Sequence, residues 1–457
     1  MTSQWSDDAF LDQLRRLGDV EADACVAKLS PNDDLAWLFR QMDANVAPVP
    51  VEAPGPIRQF FGEAGSVLPQ VGGAAVDQAR LDRGAAVFLT RAFPSALVLL
   101  ARSIPEGYAA PRLTTILTIS DDLKHHPYRR LLGVLQMLIN VSARRAFEPS
   151  GKTIITAQKM RLLHAGIRRL VPRYRPEYQE TFGTPVSLED MLATIMAFSL
   201  LVVQGLRKLR VPLTPAEAED YYYVWRVYAQ LVGIHPPRRP DDSSYVPADL
   251  TAAAEFYDSY ARRSYVPAAE NPAGVVLARA DLDMITDIMP QGLIVRRLER
   301  AIEWMFGLDK VRVRLNIVPR VYAHMLMGRK RCELVGVRAV PLMFLTKLVL
   351  WYVPHVWALM WRLFDRTRAG LSVHEFLSRT VFQGLIVLDH GGEVTFSIPQ
   401  TLAQARALAA SGSARSAGRD RPADGGVGRP QPQPEHPDIH PIEHEGDGAE
   451  HQEKPLR

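Results

Sequence analysis

Between residues 76 and 328 the apolar positions recur three and four residues apart, over and over. That spacing marks one face of an α-helix and not the alternation of a strand. It predicts helices over 76–103, 111–118, 127–147, 153–171, 187–208, 215–233, 248–263, 281–288, 291–306 and 318–328. Pro94 is expected to break the first of these. Helices this many and this apolar must bury one another, so the expected fold class is all-α. Strand signals come only late. Val311 to Leu315 alternates apolar and basic residues, and 384–398, GLIVLDHGGEVTFSI, reads as a small C-terminal β-hairpin turning at His390-Gly391-Gly392.

The ends of the chain are of a different kind. Residues 1–50 read as a short helical segment, with Ser6-Asp7-Asp8 as a cap, followed by a linker. Four prolines fall between Pro48 and Pro56. The N-terminus is acidic and amphipathic and lacks the basic-then-apolar order of a signal peptide, so the expected location is the cytoplasm. The run 340–364, VPLMFLTKLVLWYVPHVWALMWRLF, is long enough to cross a bilayer. Lys347, His355 and Arg362 interrupt it, however, and Pro354 would kink it. Buried core helices are the first reading, and peripheral contact with a membrane is the second. The organisation expected is therefore 1–50, a main domain over 51–330, apolar helices and the hairpin over 331–410, and a disordered tail over 411–457.

Composition narrows the function classes. At 47% hydrophobic residues the chain can bury a substantial core. The net charge is +4. The tail carries six Lys/Arg against nine Asp/Glu, so the remainder stands at +7. That excess is too diffuse to argue for nucleic acid as a partner. Cys25 and Cys332 share no metal spacing and read as isolated thiols. Ser150-Gly151-Lys152-Thr153 lacks the glycine and the preceding strand that a phosphate-binding loop needs. The tyrosines and tryptophan of 221–228 sit at helical spacing and read as core and pocket wall.

One motif points to chemistry. Arg161, His164 and Arg168 are three and four residues apart, which places them within about 60° on one helix face. A neutral imidazole can ligate iron, and flanking guanidiniums can pair with carboxylates. A satisfied structural histidine between solvated arginines has the same spacing, and the motif alone does not decide between the two. The surroundings add order: RLLHAGIRRL is followed by GTPVSLEDMLATIMAFSLLVVQGL and then by DYYYVWRVYAQLVGIHPP.

In that order and at those distances the chain, from about Pro56 to Phe306, resembles the catalytic domain shared by rubber oxygenases (latex clearing proteins) and MpaB-type oxygenases. The resemblance implies a globin-like helical haem domain. His164 would be the proximal ligand of a haem b iron, Arg161 and Arg168 would be haem-pocket residues, and Arg130 would face the haem with a catalytic role. It implies an oxygenase that binds dioxygen at the iron face opposite His164 and acts on an apolar substrate of isoprenoid type. Two departures qualify it. Gly133 and Val134 stand where rubber oxygenases carry a distal lysine and a threonine, and PRLTTILTISDDL offers Asp121 and Asp122 but no clear counterpart of their glutamate. The alternative is a helical haem or lipid carrier, or a membrane-associated scaffold, that has lost the distal groups.

Overall fold

Aspartate, serine and threonine start several helices of this chain, among them those after Asp7, Asp19, Asp77, Ser187, Thr214 and Asp249, each accepting a hydrogen bond from a backbone N–H that would otherwise have no partner. The computed structural model describes residues 3–30, 34, 37–38, 51–64, 74–119, 134, 137–143, 146–148, 151–288 and 317–340, all within the unit Met1–Leu408. Asp7 caps α1 (Asp8–Arg16), and Asp19 caps α2 (Val20–Ala27). The next helix, α3, spans Gly55–Ala64, and Asp77 caps α4 (Gln78–Thr90). Of the described residues 71% are helical and none is in a strand, so the fold is all-α. The expected strand 311–315, the hairpin 384–398, the helix 291–306, all but the first residue of the run 340–364, and the tail all lie outside the described residues.

The stretch expected as one helix over 76–103 turns sharply. Helix α4 stops at Thr90, Arg91 leaves the helical region at φ −121°, and α5 (Ala92–Val98) departs in a new direction. The break precedes Pro94, because in the first turn of α5 a missing N–H has no helical carbonyl to serve. Arg91 pins the bend to the start of another helix, donating to the Pro212 carbonyl and to Glu217, both at 2.8 Å. A π-helical turn, Leu99–Ser103, and α6 (Ile104–Gly107) continue the path to α7 (Pro111–Ile119).

The long helix α8 (Lys152–Tyr174) is followed by α9 (Tyr178–Phe182). Next come α10 (Leu188–Phe198) and α11 (Leu200–Lys208), which divide at Ser199, whose hydroxyl donates back to the Ile195 carbonyl at 2.7 Å. By length and composition the span Leu188–Lys208 could cross a membrane, yet 83% of its apolar window is buried within the protein. Core packing accounts for its apolarity. Helix α12 (Pro215–Leu231) opens with a reciprocal capping box of Thr214 and Glu217. After α13 (Leu250–Ser264), α14 spans Pro272–Ile288, starting well before the expected 281. Asn271 makes the earlier start possible by accepting from the Gly274 N–H at 3.1 Å. Two shorter helices, α15 (Ile317–Leu326) and α16 (Arg329–Leu334), complete the described part.

Helix α12 is the axis of the main core. Tyr221, Tyr222, Trp225 and Tyr228 are all buried, and Trp225 stacks on Phe198 at 5.4 Å. Two of the phenols find carbonyls: Tyr221 donates to Phe198 at 2.7 Å and Tyr222 to Pro247 at 3.0 Å. A second, smaller apolar cluster joins α2, α3 and α8 through Ala22, Val26, Ile57, Phe60, Leu162 and Leu163. That cluster holds the N-terminal segment against the helix that carries the motif.

Candidate functional site

Helix α8 presents Arg161, His164 and Arg168 on successive turns, as the spacing requires. The two arginines are buried and His164 is half-buried between them. A buried guanidinium needs a charged partner. Arg161 finds two: its Nε and Nη2 reach Asp19 at 2.5 and 2.9 Å, and Nη2 also reaches Glu21 at 2.7 Å. Its guanidinium lies over the Phe60 ring at 5.1 Å. Arg168 pairs with Asp23 at 2.7 Å and donates to the Val186 carbonyl at 3.1 Å. Arg169 adds bonds to the Val26 and Leu29 carbonyls, where a cation suits the C-terminal end of α2.

The arginines flanking the histidine are thus held by the protein's own carboxylates, and these all belong to one short helix and its cap. Asp19 and Asp23 are four apart and share a face of α2, while Arg161 and Arg168 are seven apart on α8. The result is a two-rung ion ladder between helices. Burial disfavours the Asp19 charge, but the charge and hydrogen bonds of Arg161, with help from Arg168 and the Ala22 amide, hold its carboxyl below the ordinary value. Asp23 goes the other way: burial outweighs Arg168, and the nearby Asp19 charge pushes it further up.

Among the described residues no group of three or more His, Cys, Asp or Glu side chains could enclose a bare metal ion. His164 can therefore offer a single nitrogen, and any iron it holds must bring further donors with it. Arg130, Gly133, Asp121 and Asp122 lie outside the described residues. Val134 is half-buried and packs against the main core. Cys25 and Cys332 are buried on separate helices, and burial pushes the Cys25 thiol up to about 11.

The sequence reading found the arginines but not their partners. Asp19, Glu21 and Asp23 carried a signal, acidic residues at helical spacing in an amphipathic N-terminal segment, but nothing in the chain order said which helix would meet them. It also missed the buried knot around Glu189 and Asp190. There Arg112 reaches Glu189 at 2.9 Å and Asp190 at 3.1 Å, Arg15 reaches Glu189 at 2.8 Å, and Tyr260 donates to Asp190 at 3.1 Å. This knot ties α1, α7, α10 and α13 together.

Residues 81–341 match the family model described as ER-bound oxygenase mpaB/B'/Rubber oxygenase, catalytic domain. The chain belongs to this family. It is 28% identical over 245 residues to the Rubber oxygenase of Streptomyces sp. (strain K30). That likeness covers 51% of this chain and 56% of the relative, so the chain spans only about half the relative's length. The fold is also that of latex clearing protein in its closed state, with a TM-score of 0.60 at 22% identity, covering 81% of this chain and 91% of that one. The MpaB and rubber oxygenase match begins inside α4, so Asp19, Glu21 and Asp23 all precede it. The clamp on the motif arginines comes from a segment the family model does not reach.

Proposed function

We propose that the chain is a haem-b-dependent oxygenase acting on an apolar substrate of isoprenoid type, with His164 as the iron ligand. The observation that carries this reading is a half-buried histidine between Arg161 and Arg168 within the stretch that matches the family, on a helix that ion pairs to α2 hold on either side of the histidine. The donor set suits the cofactor. A porphyrin supplies four nitrogens of its own and asks one more of the protein, which is what a lone imidazole can give. When bound, the haem would supply the oxygen chemistry, and the protein would supply position, an apolar surround and exclusion of water.

In this reading His164 works as a neutral imidazole, and Arg161 and Arg168 belong to the pocket as positioning residues. Their bonds to Asp19, Glu21 and Asp23 fix the height and rotation of α8, and with them the direction of the His164 side chain. Arg130 remains the proposed distal contact. An isoprenoid offers no charge to grip, so recognition would rest on shape and apolar contact.

An absorption spectrum of the full chain, produced with ample haem supply, tests the proposal. The protein is expected to show a haem Soret band that His164→Ala abolishes or strongly weakens. A colourless wild-type preparation would end the proposal. The apolar Val134, where rubber oxygenases have threonine, keeps a non-catalytic haem or lipid carrier as the second reading. Oxygen uptake with polyisoprene oligomers separates the two, since a carrier would bind and consume none.

A further inference from the structure

Like charges gather where α14, α15 and the segment after α16 meet. Arg320 is half-buried on α15, and its guanidinium donates to the Arg338 carbonyl at 2.9 Å and to the Ala339 carbonyl at 3.3 Å. Those bonds pin the segment after α16 to α15 and hold Arg338 beside Arg320. The same segment touches α14, since a Cβ on Gly336 would stand 2.7 Å from Val275 Cγ1. Arg279 comes four residues after Val275, one turn along that side of α14. Burial lowers the Arg320 guanidinium from its ordinary value, and the like charges of Arg338 and Arg279 lower it further.

Elsewhere the fold neutralises its arginines. Arg80, Arg91, Arg112, Arg161 and Arg168 each reach a carboxylate within 2.9 Å. Arg279 and Arg338 are exposed instead and meet no carboxylate among the described residues. From 320 to 340 the chain carries five Lys/Arg against one acid, Glu333, and Arg329 takes that acid at 2.8 Å. A fold gains nothing from holding like charges together, so the arrangement suits an anionic partner outside the chain.

Two features say what kind of anion. Val276 stands 48% exposed, three residues before Arg279, and is one of three large apolar side chains exposed among the described residues. The sequence then runs on from Val340 through the apolar stretch 340–364, with Trp351, Trp357 and Trp361. Cations beside apolar side chains and tryptophans match a bilayer interface, where headgroups take the charge and the acyl boundary takes the rest. A small soluble anion would gain nothing from the apolar neighbours.

We propose that the face formed by Val276, Arg279, Arg320 and Arg338 docks on a membrane surface rich in anionic phospholipid headgroups. The arginines would pair with headgroup phosphates, and Val276 would enter the boundary of the acyl chains. A few cations hold a protein weakly and reversibly, so the contact is peripheral. The face stands whether or not His164 holds haem.

Vesicle flotation of the full chain tests it, comparing vesicles of phosphatidylcholine alone with vesicles that also contain phosphatidylglycerol. The chain is expected to partition about tenfold or more in favour of the anionic vesicles. Most of that preference should vanish between about 0.1 M and about 1 M salt, as screening shortens from about 10 Å to about 3 Å. Each cation is worth about fivefold at such a surface, so Arg279→Gln with Arg338→Gln should weaken binding about 25-fold. The thermal midpoint of that variant should stay level, because neither side chain pairs with a carboxylate. Arg173→Gln with Arg175→Gln, the same change of charge at the exposed end of α8, should bind as the wild type does. Wild-type partition that ignores phosphatidylglycerol would overturn the proposal, as would an equal loss in the two double variants or no loss in either. Tighter binding to a single-stranded RNA oligonucleotide, lost in the Arg279 and Arg338 variant, would overturn it in favour of a nucleic-acid face.

Discussion

Gly233 lies directly against Asp19: a Cβ placed on the glycine would stand 2.3 Å from the carboxylate oxygen Oδ2. The glycine also sits at φ +93°, just past the end of α12. One contact therefore ties the end of the aromatic helix to the ion ladder on α8. Gly233→Ala meets two obstacles, a backbone conformation that side chains rarely adopt and a clash with a carboxylate that two bonds to Arg161 hold in place. The expected cost is about 2–6 kcal/mol in chemical denaturation, the strain and the crowding each contributing about 1–3 kcal/mol. An unchanged midpoint would mean that Asp19 can move away freely, and the ladder would then not be rigid.

The ladder makes a pH prediction through Asp19. Its folded carboxyl lies below the ordinary value, because Arg161 overcomes the effect of burial. A depressed folded value gives stability that is present above the unfolded-chain value of about 4 and is lost as pH falls through the folded value. Asp19→Asn leaves the buried Arg161 guanidinium with Glu21 as its remaining carboxylate partner among the described residues. The expected loss at pH 7 approaches the roughly 3–5 kcal/mol seen when one partner of a buried pair is removed. Urea unfolding at pH 7, 4 and 2.5 should show the gap between wild type and variant nearly intact at pH 4 and closing only below it. Asp23, whose value is raised by burial, does not share this acid sensitivity.

The sequence exposed this site unevenly, for physical reasons. Helical spacing put Arg161, His164 and Arg168 on one face correctly, because that geometry is local to α8. The burial of the tyrosines of α12 was legible for the same reason. What a linear pattern could not show was the partner across space. Asp19 and Arg161 are 142 residues apart, and several acidic and basic faces could have satisfied one another. The break at Arg91 was misplaced onto Pro94 because a proline in a first turn is harmless, whereas the bend is fixed by Arg91 reaching Pro212 and Glu217.

Close helix packing gives a paired prediction. A Cβ on Gly84 would stand 2.1 Å from the Asp220 backbone carbonyl, so α4 approaches α12 only because this residue has no side chain. Gly62, inside α3, would meet nothing within 4 Å. Both substitutions to alanine gain helix propensity of about 1 kcal/mol. At Gly62 that gain should appear as increased stability. At Gly84 backbone cannot yield as a flexible side chain would, and overpacking of about 1–3 kcal/mol should outweigh the gain. Thermal denaturation of the two variants side by side is the measurement, and the same sign at both positions would refute the close approach of α4 to α12.

Asp281 on α14 is 1% exposed, and both its carboxylate oxygens lack a hydrogen-bond partner among the described residues. Burial alone raises its carboxyl well above the ordinary value. Such a group contributes stability below the unfolded-chain value of about 4, and that contribution disappears as pH rises toward the folded value. At neutral pH the wild type therefore carries a penalty that a residue of the same shape with no proton to lose does not. Asp281→Asn is expected to be more stable at pH 7 by about 1 kcal/mol or more, because its amide escapes the ionisation penalty, where each tenfold change in the proton equilibrium is worth about 1.4 kcal/mol. That advantage should shrink steadily as unfolding is measured at pH 6, 5 and 4. A variant less stable than wild type at pH 7 would show instead that the Asp281 charge is met inside the protein, since only a partnered carboxylate can be missed when it is removed.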